Sequence, residues 1–174
     1  MVKAIFFDRD GVINKMIDRD GKKLPPLTLE EFEYLPDVKK AVDIVKELGY
    51  NTFIVTNQPD VLDFKMKFDE LSKIMLKIRN DLKIDDYICA CRRGSRLYKP
   101  SPGMIDELVN YYGIEPRKSY MIGDTWKDIE CGRAAGVKTI YIGGEPLENE
   151  PDYYAANILH ACEIIKELEN ETVR

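Results

Sequence analysis

Two pairs of aspartates follow apolar runs of the chain, where their carboxylates could act on a phosphoryl group. Asp8 and Asp10 come directly after one run, and Asp124 and Asp128 follow another. Carboxylates that converge repel one another unless a hard cation such as Mg²⁺ neutralises them. A carboxylate can also attack phosphorus, which gives an acyl-phosphate that water then cleaves. The spacing therefore predicts a magnesium site with phosphoryl-transfer chemistry.

Three further residues supply groups that could hold phosphate oxygens. Thr56 and Asn57 follow a third apolar run, and Lys99 lies beyond a fourth. A hydroxyl, a backbone N–H and an ammonium group are donors suited to such oxygens. Taken singly, Thr56 or Asp124 could cap a helix and Lys99 could be a solvated charge. Their order, each beyond an apolar run, favours one shared site.

Apolar runs alternate with amphipathic segments along the chain. The runs predict buried strands at residues 4–7, 52–55, 87–89, 120–122 and 139–142. The amphipathic segments predict helices at residues 38–48, 68–82, 104–112, 129–135 and 158–168. This alternation is typical of an α/β fold, a doubly wound, Rossmann-like parallel sheet with helices on both faces. Ligands of such sheets bind beyond the carboxyl ends of the strands, where the candidate residues lie.

The chain length and one long connection define the predicted domain organisation. The 174 residues fit a single domain, residues 1–174, around one core. Residues 11–36 separate the first strand from the first helix by far more than an ordinary connection. We therefore expect a flap loop at residues 11–36, which is too short to form a large cap domain.

Charge and apolar content limit the partners that we expect. A net charge of −5 and a pI near 5.1 argue against a surface built for nucleic acid or anionic lipid. No stretch approaches the roughly 20 apolar residues of a membrane span, and the start does not resemble a secretory signal. We expect a cytoplasmic monomer or small homo-oligomer with reduced cysteines, acting on a small phosphorylated metabolite.

Four short motifs, in order, resemble those of the haloacid dehalogenase (HAD) superfamily. They are Asp8-Arg9-Asp10-Gly11-Val12, Thr56-Asn57-Gln58, Lys99-Pro100 and Gly123-Asp124 through Asp128. The segments YLPDVKKAV, VTNQPDV, KPSPGM and GDTWKDIECGRAAGVKTI are similar to subclass IIIA, which contains D-glycero-D-manno-heptose bisphosphate and histidinol-phosphate phosphatases. The resemblance implies a HAD core without a large cap domain and a phosphatase that uses Mg²⁺.

The same resemblance implies a role for each aspartate. Asp8 would attack phosphorus and bind the metal. Asp10 would protonate the leaving oxygen, deprotonate the hydrolytic water and lend its backbone carbonyl to the metal. Asp124 would be the other metal ligand, and Asp128 would orient either the groups around the metal or Lys99.

For the substrate, the resemblance implies phosphate contacts from three residues and a departure at two others. The Thr56 hydroxyl and the Asn57 backbone amide would hold phosphate oxygens, and Lys99 would neutralise the phosphoryl group. Among the substrate-binding positions, Tyr98 stands where relatives carry Arg, and Thr125 where they often carry Arg or Lys. Both lost groups are cations, so a second substrate phosphate is less well supported.

The loop before Lys99 departs from a zinc-binding loop of the heptose phosphatases. Cys89 and Cys91 match its first pair of ligands, but Ser95 and Leu97 stand where the second pair would be. Two thiols do not close a tetrahedral zinc site. We therefore expect no structural zinc, and we expect both cysteines to pack at a strand end.

Apolar residues in the segment after Thr56 also depart from the family pattern. Leu62, Phe64 and Met66 are expected near the mouth of the site, either because a helix starts late or because the leaving group is aromatic. In the second case Phe64 and Tyr98 would form a stacking wall. Arginines within residues 92–96 could contact substrate or face solvent.

The favoured function is hydrolysis of a small phosphomonoester, a heptose-type sugar phosphate first, through an aspartyl-phosphate. A histidinol-phosphate phosphatase is the first alternative. A non-enzymatic phospho-acceptor or binding protein of the same fold is the second, and Asp10 with the flap argues against it. The acidic chain disfavours a nucleic-acid end phosphatase.

Overall fold

The computed structural model describes residues 2–172 and contains a six-stranded sheet, a separate two-stranded hairpin and five α-helices. The strands are β1 (Ala4–Phe7), β2 (Ile17–Arg19), β3 (Lys22–Leu24), β4 (Asn51–Asn57), β5 (Asp86–Ala90), β6 (Tyr120–Gly123), β7 (Lys138–Tyr141) and β8 (Tyr153–Tyr154). The helices are α1 (Val38–Glu47), α2 (Phe68–Leu82), α3 (Gly103–Tyr112), α4 (Trp126–Ala134) and α5 (Ile158–Thr172). Within residues 2–172, no helix combines the length and apolar character that crossing a membrane requires.

The main sheet has the strand order β5-β4-β1-β6-β7-β8, and every neighbouring pair is parallel. From β1 the chain passes outward through β4 and β5, then crosses back to β6 and continues outward through β7 and β8. This reversal puts β1 at the topological switch point, where a crevice opens beyond the strand ends. The predicted doubly wound α/β fold is confirmed, and the residue that follows β1 lies at its centre.

Helices cover the sheet on both faces. Residues of α1, α2 and α5 form a hydrophobic cluster on one face, and residues of α3 and α4 form a second cluster on the other. The side chains of β1 alternate between them: Ile5 and Phe7 join the first cluster, and Ala4 and Phe6 join the second. A strand buried on both faces needs apolar residues at every position, which is why β1 is a continuous apolar run.

Several elements differ from the sequence prediction. Helix α4 begins at Trp126, three residues before the predicted start at residue 129, because Thr125 and Asp128 form a capping box around a polar first turn. Strand β8, which has two residues, and the hairpin of β2 and β3, which has three in each strand, were not predicted. Such short strands carry too few positions to show a periodic pattern.

The segment at residues 11–36 contains the hairpin of β2 and β3, and its two ends are hydrogen-bonded to each other. Asp20 and Gly21 both have positive φ, 52° and 77°, the left-handed backbone that the tightest hairpin turns require. At the base of the segment, Ile13 is fully buried and its carbonyl accepts a hydrogen bond of 3.0 Å from the Leu35 N–H. Ile13 and Leu35 therefore form a paired base for the hairpin, and both pack in the hydrophobic core.

Candidate active site

A buried lysine joins the aspartate that follows β1 to the first turn of α4. The Nζ of Lys99 donates hydrogen bonds to Asp8 Oδ1 at 2.8 Å, Asp128 Oδ1 at 2.6 Å and the Val55 carbonyl at 2.8 Å. These contacts use all three ammonium protons. Burial disfavours the charged form, but Asp128 and Asp8 outweigh it and raise the pKa of Lys99 above its ordinary value. Lys99 therefore stays cationic at the switch point.

Hydrogen bonds from two other residues fix Lys99 and Asp128 in place. Asn57 donates from Nδ2 to the Lys99 carbonyl at 3.0 Å, and its Oδ1 accepts from the Lys99 N–H at 2.9 Å. Asp128 Oδ2 accepts from the Thr125 N–H at 3.0 Å and from its hydroxyl at 2.9 Å. The structure thus gives the Thr125 hydroxyl a capping role where the sequence suggested a substrate contact.

Asp8, Asp124 and Asp128 form a cluster, hereafter the carboxylate cluster, in which one oxygen of each lies within 4.8 Å of the others. Burial, followed by repulsion from Asp8 and Asp128, raises the pKa of Asp124 to about 9. Burial and repulsion from Asp128 raise the pKa of Asp8 to about 6, although Lys99 opposes the shift. One lysine therefore leaves excess negative charge in the cluster.

Asp124 has a carboxylate suited to binding a metal ion. Within residues 2–172, its Oδ1 is buried and has no hydrogen-bond partner. Its Oδ2 lies 2.0 Å from the position that a Cβ on residue 11 would take, so the carboxylate can approach this closely only because residue 11 is glycine. Both oxygens of Asp128, by contrast, accept hydrogen bonds. The donor set fits a hard divalent cation held by Asp8 and Asp124.

The carboxylate of Asp10 is held by three side chains for which the sequence predicted no role. Its Oδ1 accepts hydrogen bonds from Arg9 Nη2 at 2.8 Å, Arg9 Nε at 3.2 Å and Asn14 Nδ2 at 2.9 Å, and its Oδ2 accepts one from Gln58 Nε2 at 2.8 Å. Arg9 and Asn14 are fully buried, and Gln58 is 1% exposed. The burial of these three polar side chains is the only signal of their role, and burial cannot be read from the sequence.

The two remaining predicted substrate contacts lie in different environments. Thr56, at the end of β4, is fully buried, and its hydroxyl accepts a hydrogen bond of 2.9 Å from Gln58 Nε2. Tyr98 is half-buried against the cluster of α3 and α4, and Lys127 Nζ lies 5.7 Å from its ring centroid. A cation therefore lies beside Tyr98, although it comes from α4 and not from position 98 itself.

The segment after β4 only partly matches its predicted place at the mouth. Met66 is 4% exposed and belongs to the core, so the expectation that it lines the mouth is wrong. Phe64 is 97% exposed and makes almost no contact, so it forms no wall with Tyr98 in the structure. Asp63 pairs with Arg93 through two bonds of 2.6 Å and 2.7 Å. This pair joins the segment to the loop that precedes Lys99.

The cysteines near the site have the environment of packed thiols. Cys89 and Cys91 both pack against the cluster of α1, α2 and α5. Burial raises the pKa of Cys89 to about 12 and also raises that of Cys91. Both thiols therefore hold their protons at neutral pH, and neither has the lowered pKa of a nucleophilic cysteine.

Comparison of the sequence with known proteins identifies one family. The HAD-hydrolase-like family matches residues 97–161. A D-glycero-alpha-D-manno-heptose-1,7-bisphosphate 7-phosphatase from Photorhabdus laumondii is 31% identical over 85% of this chain and 89% of its own length. A phosphatase with the same name from Campylobacter jejuni is 32% identical over 87% of this chain and 88% of its own length.

Solved structures agree on the fold. The D,D-heptose 1,7-bisphosphate phosphatase from B. bronchiseptica, determined with magnesium and phosphate, has a TM-score of 0.81 and 21% identity over 96% of this chain and 99% of its own. A HAD phosphatase from Thermococcus onnurineus has a TM-score of 0.69 and 18% identity over 94% and 98%. The chain belongs to the HAD phosphatases, in the group that includes the heptose-1,7-bisphosphate 7-phosphatases.

Proposed function

We propose that this chain hydrolyses a small phosphorylated sugar of the heptose phosphate class, with Mg²⁺ as cofactor and Asp8 as nucleophile. The observation that carries the proposal is the carboxylate cluster at the switch point, with Lys99 bonded to Asp8 at 2.8 Å. The relatives named as heptose bisphosphate phosphatases support the substrate class. Asp8 and Asp124 would hold Mg²⁺ with the Asp10 backbone carbonyl, and bound Mg²⁺ would neutralise charge on the phosphoryl oxygens.

The reaction would proceed in two displacements at phosphorus. In the first, an Asp8 oxygen bonds to phosphorus while the bond to the sugar oxygen breaks, and Asp10 gives that oxygen a proton. In the second, a water oxygen bonds to phosphorus, its proton returns to Asp10, and the bond from phosphorus to Asp8 breaks. Lys99 stays charged throughout and favours the dianionic phosphoryl group beside Asp8.

Substrate choice can be tested by the release of phosphate from a panel of phosphomonoesters. We expect activity with magnesium and none with EDTA, and a kcat/KM for heptose bisphosphate that exceeds that for histidinol phosphate by about 10-fold or more. A higher kcat/KM for histidinol phosphate would move the substrate class to the first alternative. An inactive panel in which Asp8 nevertheless becomes phosphorylated would favour a phospho-acceptor.

Magnesium should stabilise the fold, and more strongly at about pH 8 than at about pH 6. In the metal-free fold the pKa values of Asp8 and Asp124 lie above the ordinary 3.8. The folded chain therefore binds protons that the unfolded chain releases, so the free energy of unfolding falls as pH rises through this range. A cation replaces those protons, and melting temperatures with magnesium and with EDTA measure its contribution.

Asp124→Asn is the matched variant for this measurement. It removes a buried ionisable carboxyl group that is costly to the metal-free fold, so without metal the variant should unfold at a temperature at least as high as that of the natural chain, with a gain of about 1–3 kcal/mol. The increase in melting temperature caused by magnesium should disappear. An equal increase in both proteins would contradict the placement of the cation at Asp124.

A further inference from the structure

The carboxylate of Asp10 is held by four hydrogen bonds that divide unequally between its two oxygens. Oδ1 accepts three, from Arg9 Nε, Arg9 Nη2 and Asn14 Nδ2, at 3.2 Å, 2.8 Å and 2.9 Å. Oδ2 accepts one, from Gln58 Nε2 at 2.8 Å. Three donors, two of them from the Arg9 guanidinium, stabilise negative charge on Oδ1 and leave no direction for a proton there. Oδ2 is therefore the oxygen that can carry and release a proton.

Gln58 is itself held in one orientation. Its side chain is 1% exposed, and its backbone N–H donates to the Ala90 carbonyl of β5 at 2.8 Å. The two N–H groups of its side-chain amide are both used, one by Asp10 Oδ2 and one by Thr56 Oγ1 at 2.9 Å. An amide turned the other way would place its oxygen against the Asp10 carboxylate, which is unfavourable. The donor that faces Oδ2 is therefore rigid.

We propose that Gln58 is a positioning residue that fixes Asp10 Oδ2 as the oxygen that exchanges protons in both displacements. This inference rests on the proposed function, since it assigns a role within that reaction. The proton leaves Oδ2 for the sugar oxygen as the first bond breaks, and a proton from water returns to Oδ2 as the second bond forms. Without Gln58, nothing competes with Arg9 for Oδ2, so Arg9 Nε and Nη2, which now share Oδ1, can each bind one oxygen in the bidentate geometry that a guanidinium prefers. The carboxylate then rotates, and Oδ2 loses its orientation toward the reacting oxygen.

The loss of this contact should slow only the steps that need proton transfer. 4-Nitrophenolate leaves without a proton, so the first displacement with 4-nitrophenyl phosphate does not need Asp10 as an acid. The second displacement still needs Asp10 as a base. In Gln58→Met, which keeps the side-chain length and removes the amide, the second step should slow by about 10- to 100-fold while the first changes little.

Rapid mixing of Gln58→Met with 4-nitrophenyl phosphate and magnesium tests the inference. We expect a burst of nitrophenol close to one equivalent per enzyme, followed by slow turnover, with the ratio of the two rates about 10- to 100-fold above that of the natural chain. With an alkyl phosphate, which needs the acid in the first step, the burst should be absent and kcat/KM should fall by about the same factor.

A matched control separates positioning from a general loss of structure. Thr139→Val removes a fully buried hydroxyl that donates to Asp152 Oδ2 at 3.0 Å, on the far strand β7. It should lower the melting temperature without changing the ratio of the two rates. If Gln58→Met does not fold, Gln58→Asn, which withdraws the amide from Oδ2 but keeps it polar, should show the same burst.

The outcomes separate this inference from the function on which it rests. A natural chain without magnesium-dependent phosphatase activity would overturn the proposed function and the inference together. An active natural chain, combined with Gln58 variants in which both steps slow by one common factor or neither changes, would overturn the inference alone. Failure of both Gln58 variants to fold would also overturn it, because Gln58 would then be required for structure.

Discussion

Asp8→Asn should abolish turnover, with a loss of at least about 10⁴-fold in kcat for every phosphomonoester that the natural chain hydrolyses. An amide oxygen is a far weaker nucleophile than a carboxylate and forms no acyl-phosphate. The fold should survive, because Asn can still accept the hydrogen bond that Lys99 donates to Oδ1 at 2.8 Å. Burial raises the pKa of Asp8, which means that its negative charge is costly in the fold, and Asn removes that cost. Phosphate release and a melting curve measure the two effects.

A second aspartate provides the control for this variant. Asp86, at the start of β5, lies at the amino end of the sheet and accepts a hydrogen bond of 2.8 Å from the Tyr112 hydroxyl. Asp86→Asn should leave kcat within about 2-fold of the natural value, since surface and peripheral changes have small effects. Residual turnover of a few per cent in Asp8→Asn would show that another group attacks phosphorus.

Lys99→Met should damage both stability and activity. Lys99 is 2% exposed, and its removal leaves Asp8 and Asp128 buried without their shared cation. Breaking a buried ion pair in this way typically costs about 3–5 kcal/mol. Activity should fall by about 10³-fold or more, because the cation that stabilises the phosphoryl group is lost. Urea unfolding and phosphate release measure these losses.

The stability loss in Lys99→Met should depend on pH in a defined direction. Without the lysine, the pKa of Asp8, which burial already raises, rises further, so the folded variant binds a proton that the unfolded variant releases. The free energy of unfolding lost in the variant should therefore shrink as pH falls and grow as pH rises. Lys138→Met, a half-exposed lysine at the start of β7, is the control and should change stability by less than about 0.5 kcal/mol. A loss in Lys99→Met that is independent of pH would contradict the pairing.

The sequence was sufficient to predict five of the six strands of the main sheet, including those that end at the site. Strands buried on both faces, such as β1, appear as unbroken apolar runs, and the amphipathic helices between them carry a clear period. Because parallel strands end at one edge, Asp8, Lys99, Asp124 and Asp128 could be expected to converge there, and the structure places them together. That part of the site follows from topology.

The surroundings of Asp10 could not be predicted in the same way. Arg9 is charged and would ordinarily be expected in solvent, yet it is fully buried against Asp10. Gln58 follows a strand end, where its side chain could point to either face. Asn14 lies in an irregular segment that shows no period. The direction of each side chain depends on tertiary packing, which local sequence patterns do not encode.

Trapping the phosphorylated enzyme during turnover tests the central claim most directly. Acid quenching followed by borohydride converts an aspartyl-phosphate to homoserine, and trypsin then releases residues 4–9, in which Asp8 is the sole acidic side chain, separately from residues 10–15, which contain Asp10. We predict homoserine at position 8, only in the presence of both magnesium and substrate. An unmodified peptide 4–9 during active hydrolysis, or homoserine at position 10, would contradict the assignment of Asp8 as the nucleophile.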